Sequence, residues 1–144
     1  MLIRRATEKD AAVLHEWMIE FLEKVLPYKP VDRKHVFITL MDLIDKNVAL
    51  VADDEGRLKG VVLGMYASHP LNPTVSVLHE IAWWVPEKYR KDGVGGALLD
   101  AFSSLKKTDI TTMTLIPESE KAGPVLEKLG YAKAELTYVK DNRS

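Results

Sequence analysis

The residues with the clearest chemical potential in this 144-residue chain form one stretch, Arg90-Lys91-Asp92-Gly93-Val94-Gly95-Gly96. Its three glycines follow an apolar run, Ile81-Ala82-Trp83-Trp84-Val85, closed by Pro86, and precede a helix that begins Ala97-Leu98-Leu99. A strand, a glycine-rich turn and a helix start together converge backbone N–H groups on an anion. Glycine costs roughly 0.5–1 kcal/mol against alanine at an ordered position, and close approach of the backbone to a ligand supplies a reason for three of them. Just upstream lie His79 and Glu80, two side chains able to carry a proton. Glu80 is the only carboxylate inside that strand, and burial would raise its pKa; the imidazole of His79 has an unperturbed pKa suited to proton transfer. Alternation along a strand turns only one of them toward a given substrate.

Three phosphate-binding patterns compete for the glycines. A dinucleotide fingerprint needs G-x-G-x-x-G near the start of the fold, and only the first two glycines are in register here. A Walker loop needs a lysine and a hydroxyl after its last glycine, where this chain has Ala97-Leu98. The third is a pyrophosphate held by successive amides at a helix start, with Arg90 and Lys91 just outside it.

The elements that must position these residues follow from periodicity. Leu2–Ala6 reads as a strand, and Thr7 with Asp10 as a helix cap. Leu14, Trp17, Met18, Phe21, Leu22 and Val25 form one helical stripe ending at Pro27, with His15 beside it. After the loop Pro27-Tyr28-Lys29-Pro30, a second helix capped near Asp32 turns Val36, Leu40, Met41 and Ile44 inward. Val48–Ala52 and Leu58–Tyr66 are strands joined by the hairpin turn Asp53–Arg57, with Gly60 and Gly64 marking a bulge or a close approach. His69–Pro73 is a loop. Val75–Val85 is the longest strand, with Val77, His79, Ile81, Trp83 and Val85 on one face and Ser76, Leu78, Glu80, Ala82 and Trp84 on the other. A third helix buries Leu98, Leu99, Phe102 and Leu105; then come a strand over Thr111–Ile116, a short helix over Ala122–Leu129 stopped by Gly130, a last strand over Tyr131–Lys140, and a frayed tail.

The expected fold is therefore α/β of the α+β type, a mixed, mostly antiparallel sheet of about six strands with four helices, in the order β-α-α-β-β-β-α-β-α-β. A doubly wound nucleotide fold would place its glycine turn after the first strand, and here it follows the fourth. The length suits one domain over residues 1–144. A formal charge of -1, with basic residues scattered, gives no pull toward nucleic acid or a membrane. The absence of cysteine removes thiolate catalysis, disulfides and cysteine metal sites, and fits a cytoplasmic protein, as does the lack of a signal-peptide core.

Arg90-x-x-Gly93-x-Gly95, set after the fourth strand, resembles the acetyl-CoA signature of the GNAT N-acetyltransferases, and Leu126-Glu127-Lys128-Leu129-Gly130-Tyr131 resembles that family's late motif. The resemblance spans essentially the whole chain. It implies acetyl-CoA as cofactor, direct acetyl transfer to an amine of a small molecule or a protein, and no metal. It places the cofactor along Trp84, Val85, Arg90, Lys91, Asp92, Gly93, Val94, Gly95, Gly96 and Ser119, the last standing where the family often has asparagine. It makes Glu80, acting through water, the general base, with His79 its rival; a structural ion pair or substrate anchor is the competing role for Glu80, and core packing that for at least one of Trp83 and Trp84. The chain departs from the pattern at Leu126, where the family has the tyrosine that protonates the leaving thiolate, so that Tyr131, Tyr138, Tyr66 or water must serve. Asp92 also sets a negative charge beside the proposed pyrophosphate, to be turned outward or neutralised by Lys91 or Arg90. A lone final strand would leave an exposed edge that a homodimer could cover. The alternative is a non-catalytic CoA-binding or protein-interaction module on the same fold.

Overall fold

A computed structural model describes residues 1–25 and 29–143. Pro27 and Tyr28 of the expected first loop, with Leu26 and the final Ser144, lie outside the described residues. The strands β1 (Leu2–Arg5), β2 (Val48–Asp54), β3 (Arg57–His69), β4 (Asn72–Trp84) and β5 (Ile110–Thr112) form one sheet in the order β1-β2-β3-β4-β5. The first four pair antiparallel and β5 joins β4 in parallel.

Helices α1 (Ala11–Lys24) and α2 (Arg33–Lys46) cover one face. The stripe of α1 is buried as its spacing predicts: Leu14, Met18 and Phe21 pack with Leu40 and Leu43 of α2 against Val51, Val61, Leu63, Ala82 and Trp84. Asp32 caps α2 by accepting from the His35 N–H at 3.0 Å. The start of α1 is tied down more firmly. Asp10 accepts from the Thr7 N–H at 2.8 Å and receives the Arg4 guanidinium on both carboxylate oxygens, while Arg4 Nε donates to Asp53 at 2.9 Å.

Helix α3 (Val94–Ser103) covers the opposite face, with Val94, Leu98 and Phe102 packed on Leu50, Ala52, Val62 and Leu78. Gly60 and Gly64 are what let it settle there: a Cβ on Gly60 would come within 2.9 Å of both Leu98 and Val94, and one on Gly64 within 2.7 Å of the Phe102 ring. The β2–β3 turn has positive φ at Glu55 (52°) and Gly56 (91°), the pattern of a type I′ hairpin.

The structure revises three boundaries. The hairpin between β3 and β4 is tighter than the expected loop; Pro73 lies inside β4, in an irregular stretch where the register moves from Ser68↔Ser76 to His69↔Asn72. The strand expected over Thr111–Ile116 is confined to Ile110–Thr112. The last expected strand is absent, so among the described residues the sheet has five strands where about six were anticipated. Residues 131–143 carry no regular structure, although Ala132, Ala134, Leu136 and Tyr138 alternate as a strand would. Two of those four are alanines, Leu136 and Tyr138 are 71% and 90% exposed, and a three-residue β5 offers little edge to pair with. Helix α4 (Gly123–Lys128) ends where Gly130 predicts.

Candidate active site at the fork of β4 and β5

The seam between β4 and β5 is short. Backbone pairing covers Val77↔Ile110, Leu78↔Thr111 and His79↔Thr112. Side chains reinforce it: Ser76 N–H and Oγ–H both face Asp109 Oδ2 at 2.9 and 3.1 Å, and His79 Nδ1 meets Thr112 Oγ1 at 2.8 Å. Past Thr112 the ladder stops. The last link is Glu80, whose Oε1 accepts from the Thr114 N–H at 3.2 Å. Glu80 therefore sits just beyond the paired stretch, bridging to the chain that follows β5.

A β-bulge decides which way Glu80 points. Leu63 pairs with Ala82 but Gly64 pairs with Glu80, so Ile81 is the extra residue, and it is 44% exposed. The uninterrupted alternation expected for this strand is thereby corrected. Leu78 and Trp83 belong to the α3 side, whereas Ala82 and Trp84 belong to the α1–α2 side. Glu80, opposite Gly64, faces α3, and His79, opposite Met65, faces the other helices. Burial raises the Glu80 pKa from 4.5 to about 7, partly offset by the bond from Thr114. Among the described residues no ion pair reaches it.

At the far end of β4, Pro86 turns the chain through a 3-10 turn, Glu87–Tyr89, into the glycines. Gly93 precedes α3 with φ 75°, a left-handed conformation that glycine adopts without strain, and no side chain caps the helix. The first N–H groups of α3, at Val94, Gly95 and Gly96, are left to an external acceptor. The three glycines have separate reasons. Gly93 serves the backbone, a Cβ on Gly95 would press on the Trp83 indole at 3.0 Å, and a Cβ on Gly96 would meet nothing within 4 Å. Only Gly96 is left for an approaching ligand to explain.

Arg90 and Asp92 are less available than their positions imply. The Arg90 N–H goes to Glu87 O and the Asp92 N–H to Tyr89 O, both at 3.2 Å. Arg90 Nε donates to Val85 O at 2.8 Å, and its guanidinium lies over the Trp84 ring at 5.1 Å. Asp92 lies near Lys59, where its charge adds to that of Asp54 in holding the ammonium protonated. Lys91 is exposed at the rim. Trp84 and Val85 are core residues, at 7% and 8% exposure, with the Trp84 ring edge-on to Phe21. Both Trp83 Nε1 and Trp84 Nε1 are buried with no partner among the described residues. Ser119 donates its hydroxyl to Ile116 O at 3.1 Å, in the 3-10 turn Pro117–Ala122 that leads into α4.

The profile of the acetyltransferase (GNAT) family matches residues 11–131. The chain belongs to this family. Solved structures agree on the GNAT fold. A probable acetyltransferase superposes with a TM-score of 0.76 at 17% identity, covering 100% of this chain and 99% of its own. A predicted acetyltransferase with acetyl-CoA from Clostridium acetobutylicum gives 0.75 at 15% identity, covering 97% and 95%. An aminoglycoside acetyltransferase from an uncultured soil metagenomic sample, in complex with sisomicin, gives 0.69 at 14% identity, covering 99% and 96%. No curated protein matches the sequence. Among the described residues no helix is long and apolar enough to cross a membrane.

Two features of this candidate site in the GNAT fold escaped sequence reasoning. One is the Ile81 bulge, which has no marker in its own strand; Gly64 opposite it was the only signal. The other is a contact between Ser103 and Tyr131, whose OH and Oγ are 2.8 Å apart across 28 residues.

Proposed function

We propose that the protein transfers an acetyl group from acetyl-CoA directly to an amine. The observation that carries this reading is the uncapped start of α3 together with a carboxylate, Glu80, that lies just past the end of the β4–β5 seam with no cation against it among the described residues. The amides of Val94, Gly95 and Gly96, with Lys91 beside them, suit a pyrophosphate by charge and by donor geometry. Bound there, acetyl-CoA supplies the activated thioester, and its pantetheine arm would run into the fork past Trp84 and Val85. The Arg90 side chain, engaged with Val85 O and Trp84, shapes the turn instead of neutralising phosphate.

Glu80 takes the proton of the incoming ammonium, through water, because a carboxyl titrating near 7 is matched to that exchange at neutral pH. His79 is on the opposite face with one ring nitrogen engaged by Thr112, which favours Glu80. The acceptor is an amine of a small molecule or a peptide; one structural neighbour is an aminoglycoside acetyltransferase in complex with sisomicin, and on that analogy aminoglycosides head the screen. Leu126, only 7% exposed and without a proton to give, favours a second reading in which CoA is bound and no acyl group moves.

Titration calorimetry with acetyl-CoA tests the first step, with micromolar-range binding expected and no binding excluding the reading. Gly96→Asp is the cleanest variant, since it adds charge at the cradle without touching Trp83, as a side chain at Gly95 would. It should lose acetyl-CoA binding while keeping the wild-type melting temperature. Release of free CoA across an amine, peptide and aminoglycoside panel separates the transferase from the binding module.

A further inference from the structure

The strongest competitor for the start of α3 is a carboxylate of the chain itself. Asp92 stands one residue ahead of Gly93, beside a helix start whose first amides, at Val94, Gly95 and Gly96, have no side-chain cap. Aspartate is among the residues that most readily take such amides, which are unpaired donors at the positive end of the helix. Asp92 does not take them.

What holds the turn instead is a chain of contacts that begins in the sheet. Lys59, near the start of β3, is anchored by Asp54 at 2.9 Å, and its side chain is only 20% exposed. Its ammonium lies 5.3 Å from the centre of the Tyr89 ring. Tyr89 belongs to the 3-10 turn before the glycines: its N–H bonds to Pro86 O at 2.8 Å, and its carbonyl accepts the Asp92 N–H at 3.2 Å. Residue 92 is thereby tied to the residue against which Lys59 rests. The bond from Asp54 raises the Lys59 pKa most, and the charge of Asp92 raises it further. The other cations of the turn are placed differently. Arg90 is committed to Val85 O and the Trp84 ring, and Lys91 is exposed. Lys88 also lies at the Tyr89 ring, 5.0 Å from its centre. Of these four cations, Lys59 is the one that an ion pair fixes in place among the described residues.

We infer that Lys59 is a positioning residue of the cradle, whose ammonium draws the Asp92 carboxylate away from the α3 amides and so leaves them to the cofactor's pyrophosphate. This rests on the pyrophosphate reading of that stretch given above. Without Lys59, Asp92 turns onto the amides as a cap, and the chain fills with its own anion the place that the phosphate oxygens need. The two outcomes compete directly, because an N–H given to a carboxylate is withdrawn from a phosphate. Asp54 serves by holding the ammonium where it faces the turn.

A double-mutant cycle tests this, with Lys59→Met, Asp92→Ala and the double variant titrated with acetyl-CoA by calorimetry. Lys59→Met should weaken binding about fivefold, the equivalent of one helix cap, and Lys59→Arg, which keeps the charge, should recover the loss. Asp92→Ala should tighten binding several-fold more in the Lys59→Met background than beside Lys59. Lys88→Met should show no such coupling to residue 92. A second readout needs no cofactor: the amide resonances of Gly95 and Gly96 should move in Lys59→Met and return in the double variant. Equal effects of Asp92→Ala with and without Lys59, the same coupling from Lys88, or unmoved amide resonances in Lys59→Met would overturn the proposal. A wild type that does not bind acetyl-CoA overturns the pyrophosphate reading instead, and the amide resonances still report where Asp92 sits.

Discussion

Two carboxylates in this molecule, the buried Asp10 and the half-buried Glu80, are treated in opposite ways. Asp10 sits between the Arg4 guanidinium and the Thr7 N–H, and Arg4 above all holds its pKa below the ordinary carboxylate value. Glu80 has one backbone donor and, among the described residues, no cation, and burial pushes it up to about 7. The first arrangement locks β1, the entry to α1 and the end of β2 together. The second stabilises nothing at neutral pH and leaves a group that can exchange a proton there. The contrast is one of partners: a buried carboxylate paired with a guanidinium against a half-buried one left with a single backbone donor, and a shift of the second kind is what the proposed role of Glu80 draws on.

The sharpest way to break the comparison is Glu80→Gln. Transfer should fall about a hundredfold with acetyl-CoA binding retained, and the variant should lose the acid limb near pH 7 that wild type owes to protonation of Glu80; wild-type turnover would remove Glu80 from the mechanism. The same variant tests the energetic half. Because the folded state holds the Glu80 proton more tightly than the unfolded chain, wild-type stability falls as pH rises from the unfolded pKa of about 4.3 toward 7. Glu80→Gln should therefore melt higher than wild type at about pH 8 and lose that advantage near pH 4. An equal melting point throughout would mean that the buried charge carries no penalty.

Asp10→Ala should move stability the other way. It removes the helix cap and leaves Arg4 short of a partner, at a cost of about 2–3 kcal/mol by urea unfolding near neutral pH. The Asp10 pKa is depressed, so its contribution is present above an unfolded value of about 3.9 and disappears as pH falls through the folded one. The gap from wild type should close in acid. Catalysis should be untouched where the variant is folded. The smallest effect is expected at the seam: Thr112→Val deletes the hydroxyl facing His79, costs less than about 1 kcal/mol, and leaves turnover near wild type. A large loss of turnover with intact acetyl-CoA binding would promote His79 over Glu80.

Much of this was legible in local pattern. The Asp32 cap, the hairpin at Asp53–Arg57, the stop at Gly130 and the inward stripe of α1 each depend on residues within a turn or two of one another. The glycine stretch before α3 could be located for the same reason, and its place after the fourth strand is what the pyrophosphate proposal starts from. Individual roles inside it were not. That Gly95 makes room for Trp83 and that Arg90 is spent on Val85 O are contacts between segments, invisible to spacing.

The last strand shows the limit from the other side. Residues 132–138 alternate as a strand should, yet pairing needs an edge, and β5 supplies three residues. By itself the sequence determined the order of elements as far as α4, their caps and turns, the family resemblance and the carboxylate in the fourth strand, because propensity, capping and periodicity are local. Only the tertiary structure decided which face that carboxylate takes, through a bulge set by cross-strand register, and brought Tyr131 to Ser103. Register and long-range contact are properties of the assembled sheet, where one extra residue reverses every side chain that follows it.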